Sequence, residues 1–359
     1  MKVVIAGGGT GGHLYIGIAL ARELARCDPA TDFLFVGTRY GLESRIVPQE
    51  GFRLEFIVSA GLKGMGFSRL VHNLLLIPGS LLQSARVVRR YTPDVVVGVG
   101  GYSSGPVVLS ACWLGKPTLI IEPNAHPGLT NRWLARFVRR AALAMPDRED
   151  YFGAKGIVTG IPVRTEFQLV PARQGCRSPF TLLVYGGSQG SHALNSIVCE
   201  ALADLKSLGP DFRVIHQTGE KELEVVRRAY QEAGLEADVQ PYLPRIYEEF
   251  ARADLILSRA GAATIAELTM AGKAAILVPF PGAADDHQTK NALALQELGA
   301  AKMIPEKAWA RGTLLNEVRH FLANWEELDR MQEAARRLAK PDAGRRIADL
   351  VLTLARGAG

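Results

Sequence analysis

Cysteine is scarce in this 359-residue chain: Cys27, Cys112, Cys176 and Cys199 stand far apart with no CxxC pair. That excludes a disulfide framework and a cysteine zinc site, and it fits a reducing cytosol. No stretch of about 18 uninterrupted apolar residues occurs, so no membrane-spanning helix is expected. The opening MKVVIAGGGTGG runs from one lysine through a short apolar stretch into glycines, too short for a signal-peptide core. It reads as a first strand. A Walker-type GxxxxGK[ST] is also missing.

What is present suits two packed cores. Hydrophobic residues make up 48% of the chain, and at roughly 150 residues per domain the length predicts two domains. Charge is unevenly placed: residues 1–160 hold 18 Lys and Arg against 11 Asp and Glu, although the net charge of the whole is only +6. The basic excess of the first half favours an anionic partner such as phosphate, nucleic acid or an acidic bilayer.

Short β-branched runs alternate with longer helical patterns: Lys2–Ala6, Phe33–Val36, Asp94–Val99 and Thr118–Ile121, then Thr181–Tyr185, Arg213–His216, Leu255–Leu257 and Ala274–Val278. This is the α/β signature of doubly wound parallel sheets built from βαβ units. The series breaks near Gly160–Ser178, which predicts domains at 1–160 and 161–335, with residues 336–359 as a C-terminal helix of unassigned packing. VVIAGGGTGGH at Val3–His13 aligns without gaps with LLVYGGSQGSH at Leu182–His192. Each half thus offers a glycine loop at a strand's carboxyl end, and two such domains imply a ligand-gripping cleft between them.

Gly7, Gly9 and Gly12 satisfy GxGxxG, which lets main-chain N–H groups approach a negative group. A nicotinamide enzyme also needs an acid at the end of the second strand, and Leu34-Phe35-Val36-Gly37-Thr38 has none. His13 closes the loop at the first helix turn, where it either packs or removes a proton from a sugar hydroxyl. Ser258–Glu267 (SRAGAATIAE) starts a helix with small residues, suiting a diphosphate, while Glu267 suits a ribose diol. In the loop Pro279–Asn291, Asp286, His287, Gln288 and Asn291 are placed to bond sugar hydroxyls; the loop lacks DxD or HxxxH spacing, so no obligatory metal is expected. In Phe67–Arg90, the apolar Leu70, Leu74, Leu75, Ile77, Leu81 and Leu82 are flanked by Lys63, Arg69, Arg86, Arg89 and Arg90. This is either a core helix or an interfacial segment on anionic head groups.

Taken together, GGTGGH (Gly8–His13), GGYSSGP (Gly100–Pro106), EPNAHPGLTNRWLA (Glu122–Ala135), GIPVR (Gly160–Arg164), GGSQGS (Gly186–Ser191), SRAGAATIAE and DDHQTKNA (Asp285–Ala292) closely resemble the bacterial MurG family of transferases, in order and over nearly the whole chain. The resemblance implies a GT-B fold of two Rossmann-like domains facing a cleft, with acceptor and membrane on the first and UDP-GlcNAc on the second. It implies an inverting transfer of GlcNAc from UDP-GlcNAc to the C4 hydroxyl of MurNAc in undecaprenyl-pyrophosphoryl-MurNAc-pentapeptide, the lipid I to lipid II step of peptidoglycan synthesis, with no cofactor.

By matching positions, Arg164, Ser188, Leu243, Ala262, Ala263, Thr264, Ile265, Ala266, Glu267 and Gln288 would contact the donor, with Thr10, Gly11, Gly12 and Asn124 approaching it from the other domain. His13 would be the general base, Tyr102 and Glu122 would support it, and Asn131 and Tyr102 would position the acceptor. Leu70, Leu74, Leu75, Leu81, Leu82, Trp113, Arg86 and Arg89 would meet an anionic membrane on the cytoplasmic face. Cell-wall or division proteins are possible partners; nucleic acid is not expected. Ile16 and Pro123 depart from the family's GGHxxP and EQN patterns without removing a catalytic group; His287 stands where some members have glutamine. Another UDP-sugar enzyme of the same fold, a lipid glycosyltransferase or an epimerase, is the alternative.

Overall fold

The computed structural model describes residues 1–8, 11–59, 67–146, 149–172, 178–187 and 189–357; for Gly11 and residues 67–74 it describes the main chain alone. Two compact units emerge, Met1–Val163 with Lys340–Gly359, and Arg164–Ala339.

In the first unit the order is β1 (Lys2–Gly7), α1 (Gly11–Cys27), β2 (Asp32–Gly37), α2 (Glu43–Gln49), β3 (Arg53–Phe56), α3 (Phe67–Tyr91), β4 (Val95–Gly100), α4 (Ser104–Trp113), β5 (Thr118–Glu122), α5 (Leu129–Leu134), β6 (Arg140–Leu143) and β7 (Gly156–Val158). Among the described residues these strands form one parallel sheet in the order β3-β2-β1-β4-β5-β6-β7. The second unit runs β8 (Phe180–Tyr185), α6 (His192–Lys206), β9 (Phe212–Gln217), α7 (Leu223–Ala233), β10 (Ala237–Gln240), α8 (Ile246–Arg252), β11 (Leu255–Ser258), α9 (Ala262–Ala271), β12 (Ala275–Leu277), α10 (His287–Glu297), β13 (Lys302–Met303), α11 (Thr313–Ala323) and α12 (Trp325–Arg337). Its parallel sheet reads β10-β9-β8-β11-β12-β13.

The central strands are nearly continuous apolar runs because helices cover both faces of a parallel sheet. In β1 every residue after Lys2 is buried, and β5 is buried throughout. β1 lies between β2 and β4, with Val4 opposite both Leu34 and Val96; β8 lies likewise between β9 and β11. Strand order reverses at these two places, so the carboxyl ends of β1 and β4, and of β8 and β11, flank the crevices where open α/β sheets take ligands. The internal match seen in the sequence is therefore the first strand and loop of each unit.

The C-terminal helix, whose packing the sequence left unassigned, belongs to the first unit. The first unit extends to Val163, and α13 (Ala343–Ala355) returns to it and packs on α1. Ala343, Ile347, Ala348, Val351 and Leu354 form one buried helical stripe, which needs an apolar partner. Gly344 packs close to Glu23 of α1.

Helix α3 resolves the choice between core and surface by having both faces. Val87 and Val88 are buried, while Leu75 (74% exposed), Leu82 (68%), Arg86 and Arg89 lie along the opposite stripe. Leu81 does not share that stripe: it packs against the first unit's buried cluster, and its carbonyl accepts the Ser110 hydroxyl of α4 at 3.2 Å. Trp113, at the end of α4, is 65% exposed. The side chains of Leu70 and Leu74 lie outside the described residues. No described helix is long and apolar enough to cross a membrane.

Candidate functional site

In the first unit, the loops after β1 and β4 interlock. Gly101 adopts φ +82, and its α-carbon sits so close to the Gly8 carbonyl that any side chain there would collide. The Gly8 N–H reaches Gly100 O at 3.4 Å. The imidazole of His13 lies over Gly100, where an added methyl carbon would stand 2.6 Å from Cδ2. His13 is thus held at the crevice mouth by a surface that only glycine leaves open. Tyr102, 56% exposed, continues the turn, and its carbonyl accepts the Ser59 hydroxyl at 2.7 Å.

Glu122 ends β5 with its carboxylate buried. One oxygen accepts the Asn124 N–H at 2.9 Å and the Asn124 amide at 3.1 Å; the other accepts the Gly128 N–H at 3.0 Å and the Asn131 amide at 2.9 Å. Burial raises its pKa, and these four hydrogen bonds oppose the rise. The geometry makes Glu122 the hub of the Glu122–Asn131 loop, with Asn131 also buried and bonded to Ile121 O at 3.2 Å. Neither presents its contacting atoms to solvent; Asn124 is the partly exposed member. Replacing Glu122 with alanine is expected to destabilise the protein by about 3 kcal/mol, because the buried Asn131 amide and three part-buried donors lose their acceptor. Chemical denaturation of the variant checks it.

In the second unit three loops converge on the start of α9. Arg259 donates through Nε to Ser191 Oγ at 2.9 Å and through Nη1 to the carbonyls of Val278 and Pro279, each at 3.1 Å, and pairs with Glu306 at 2.8 Å. This joins the ends of the loops following β8, β11 and β12. Gln288 Oε1 accepts the N–H groups of Ala260 and Phe280 at 3.2 and 3.0 Å, which fixes the oxygen end of its amide between two loops. Asn291 is buried and donates to Ala260 O at 3.2 Å. His287 donates to Ala284 O at 2.6 Å, and Asp286 accepts the Thr289 hydroxyl at 2.7 Å. Of the polar cluster expected to bond sugar hydroxyls, Asn291 alone is buried; Asp286 and His287 each make a local bond and, like Gln288, keep part of the side chain exposed.

Helix α9 begins after Gly261 with Ala262, Ala263 and Thr264, whose N–H groups have no carbonyl one turn earlier to bond and form the positive end of the helix dipole. Ile265 is different: its N–H bonds Gly261 O at 2.9 Å and its side chain is buried, so it has nothing to offer a ligand. Ala266 and Glu267 are partly exposed. Burial pushes the Glu267 carboxyl up to about 7, against the opposing pull of Arg164, whose Nη2 stands 3.7 Å away. The Leu243 side chain is buried. Gly11 and Gly12 open α1; Thr10 and Ser188 lie outside the described residues.

Residues 3–143 match the glycosyltransferase family 28 N-terminal domain, and residues 181–347 the glycosyltransferase family 28 C-terminal domain. The chain is 46% identical to the UDP-N-acetylglucosamine--N-acetylmuramyl-(pentapeptide) pyrophosphoryl-undecaprenol N-acetylglucosamine transferase of Anaeromyxobacter dehalogenans, over 99% of this chain and 94% of that one. It is 45% identical to the transferase of the same name from Syntrophus aciditrophicus, with 99% of each chain covered. The crystal structure of Acinetobacter baumannii MurG superposes with a TM-score of 0.80 at 31% identity, covering 98% of this chain and 99% of that one. The chain belongs to the MurG family of glycosyltransferases. A UDP-GlcNAc 2-epimerase from Neisseria meningitidis also superposes, with a TM-score of 0.70 over 98% of this chain and 100% of that one, but at 14% identity it shares the fold alone.

Within this MurG-family chain, several site-supporting residues carried no recognisable signal. His216 is fully buried, and burial drives its pKa down to about 3, so the ring is neutral. It donates through Nε2 to Asn195 Oδ1 at 3.0 Å, which leaves Nδ1 to accept the Tyr230 hydroxyl at 3.1 Å. Asn195 in turn donates to Thr218 O at 3.0 Å and to Glu222 at 2.5 Å. Gly190, at φ +74, presses against that same Thr218 carbonyl, so the network braces the second glycine loop from below. Arg259 sat in plain view in SRAGAATIAE; its alternation with small residues was the available clue, but its partner Glu306 is remote in sequence.

Proposed function

We infer that the protein transfers GlcNAc from UDP-GlcNAc to the C4 hydroxyl of MurNAc in undecaprenyl-pyrophosphoryl-MurNAc-pentapeptide, with inversion. What carries this reading is the Arg259-stitched rim around the start of α9, with Glu267 and Gln288 on it, in a chain 46% identical to transferases of that name. The diphosphate rests on the N–H groups of Ala262, Ala263 and Thr264; Glu267 takes the ribose hydroxyls and Gln288 the sugar.

In the reaction the C4 oxygen forms a bond to the anomeric carbon, the bond from that carbon to the diphosphate oxygen breaks, and UDP departs with the electron pair. His13 accepts the C4 proton. The helix end and Arg164 stabilise the charge that develops on the leaving diphosphate, which needs no metal or cofactor in this reading. Tyr102 meets the acceptor, and Glu122 and Asn131 hold the loop that carries Asn124. The test is transfer of labelled GlcNAc to a short-chain analogue of the acceptor in EDTA. A β-1,4-linked product is expected; donor bound without transfer points to another acceptor, and no donor binding overturns the reading.

Leu75 and Leu82 stand exposed on one stripe of α3 that continues into Arg86 and Arg89, and Trp113 is exposed at the end of α4, so the surface of the first unit offers apolar and basic groups together. We propose that it docks the first unit on the anionic cytoplasmic face of the plasma membrane, beside the lipid-linked acceptor and any cell-wall or division proteins gathered there. Each leucine contributes about 1.5–3 kcal/mol when buried, and each arginine about 1 kcal/mol near anionic lipid. Leu75→Glu with Leu82→Glu is expected to lower sedimentation with phosphatidylglycerol vesicles by at least about tenfold, with turnover of a water-soluble acceptor unchanged. Undiminished vesicle binding would remove this face from the docking surface.

A further inference from the structure

The acid missing from the end of β2 arrives a few residues later, on α2. Glu43, the first residue of that helix, is 1% exposed and folds back beneath the loop that follows β1. Its Oε1 accepts the Thr38 N–H and the Thr38 hydroxyl, each at 2.8 Å. The carboxylate lies flush against the α-carbons of Gly8 and Gly41, and its Cγ against Gly37, so that a methyl group at any of the three would collide with it. Gly8 is in turn locked to Gly100 and Gly101, and Gly100 supports the His13 ring. A continuous line of contacts thus runs from Glu43 through Gly8 and the Gly100–Gly101 turn to His13. A buried carboxylate is an expensive way to fill space, since an apolar side chain of that size packs without the desolvation cost. Its burial also keeps it from acting as a ribose ligand.

We propose that Glu43 is a positioning residue for the transfer reaction: it sets the height of Gly8 and, through the glycine turn, the placement of His13 and Tyr102 against the acceptor. The proposal rests on the transferase reading above. It assigns Glu43 an effect chiefly on the acceptor side, because Arg164, Glu267, Gln288 and the start of α9, which supply most of the donor contacts, belong to the other unit.

The test compares wild type, Glu43→Ala, Glu43→Asp and Glu43→Gln in transfer from UDP-GlcNAc to the short-chain acceptor, with melting curves and donor binding measured separately. Glu43→Ala is expected to lower kcat and raise the acceptor KM by at least about tenfold each, since sub-ångström to ångström misplacement of catalytic groups has effects of this order. Its donor Kd is expected to stay within about twofold of wild type. Glu43→Gln keeps an acceptor oxygen for Thr38 and is expected to recover most of the activity. Should Glu43→Ala fail to fold, Glu43→Asp decides, because withdrawing the carboxylate by one methylene from Gly8 is expected to give the same split. Wild-type kcat in a folded Ala or Asp variant, or equal losses for donor and acceptor, would overturn the proposal while leaving the transferase reading intact. A wild type that binds donor but transfers nothing overturns the reading and the proposal with it.

Discussion

His13→Ala is expected to lower kcat by about 10²–10⁴-fold, the usual contribution of a positioned general base, with UDP-GlcNAc binding little changed. The ring lies at the carboxyl end of the first sheet, pressed over Gly100, at the point where strand order reverses between β1 and β4. The residues that anchor the donor lie in the other unit, so removing the imidazole leaves the α9 helix end, Glu267 and Gln288 untouched. A loss in kcat without a matching change in donor Kd marks an interaction made in the transition state. Gly100→Ala is expected to give a milder form of the same defect, because a methyl there displaces the ring and also forces a side chain into φ +98. Steady-state kinetics with calorimetric donor binding checks both. If His13→Ala turned over at the wild-type rate, the proton would have to be taken by another group.

UDP-GlcNAc affinity is expected to weaken about tenfold between pH 8 and pH 6, the ratio of ionised fractions on either side of a carboxyl that titrates near 7. That carboxyl is Glu267, raised to about 7 by burial and restrained by Arg164. Its ionised form accepts hydrogen bonds from both ribose hydroxyls; the protonated form accepts less well. Binding is therefore favoured above the folded pKa and lost as pH falls through it. Folding stability has the opposite sign: with the folded pKa above the unfolded one, the group's contribution is present at low pH and lost as pH rises through about 7. Glu267→Gln is expected to flatten the pH dependence of donor Kd while weakening binding at pH 8, and Arg164→Ala to move the midpoint upward. The diphosphate diester stays fully ionised across this range, so it does not mimic the effect. A pH-independent Kd in the wild type would show that Glu267 does not take the ribose as an ionised carboxylate.

The strands legible in the sequence were those buried on both faces. Lys2–Gly7, Thr118–Glu122, Phe180–Tyr185 and Leu255–Ser258 read as apolar runs because a covered parallel strand has no polar face. Arg53–Phe56, Ala237–Gln240 and Lys302–Met303 were not legible; they are short edge strands, mixed in polarity, and are strands only because a neighbour offers them hydrogen bonds. The return of α13 to the first unit was equally hidden, since an amphipathic helix declares that it needs a partner but not which one.

The site divides along the same line. The sequence by itself determined that two glycine loops end two buried strands, that a small-residue helix start follows a third, and that His13, Glu267 and Gln288 stand beside them, because main-chain approach and helix ends impose local residue requirements. Only the tertiary structure decided that Glu122, Asn131 and Asn291 face inward as braces, that Leu81 turns to the core, and that Arg259 and Glu306 tie three loops together. It also placed Glu43 under Gly8. A side chain's partner across the fold is set by packing between distant segments, and one short motif holds no record of what will be laid against it.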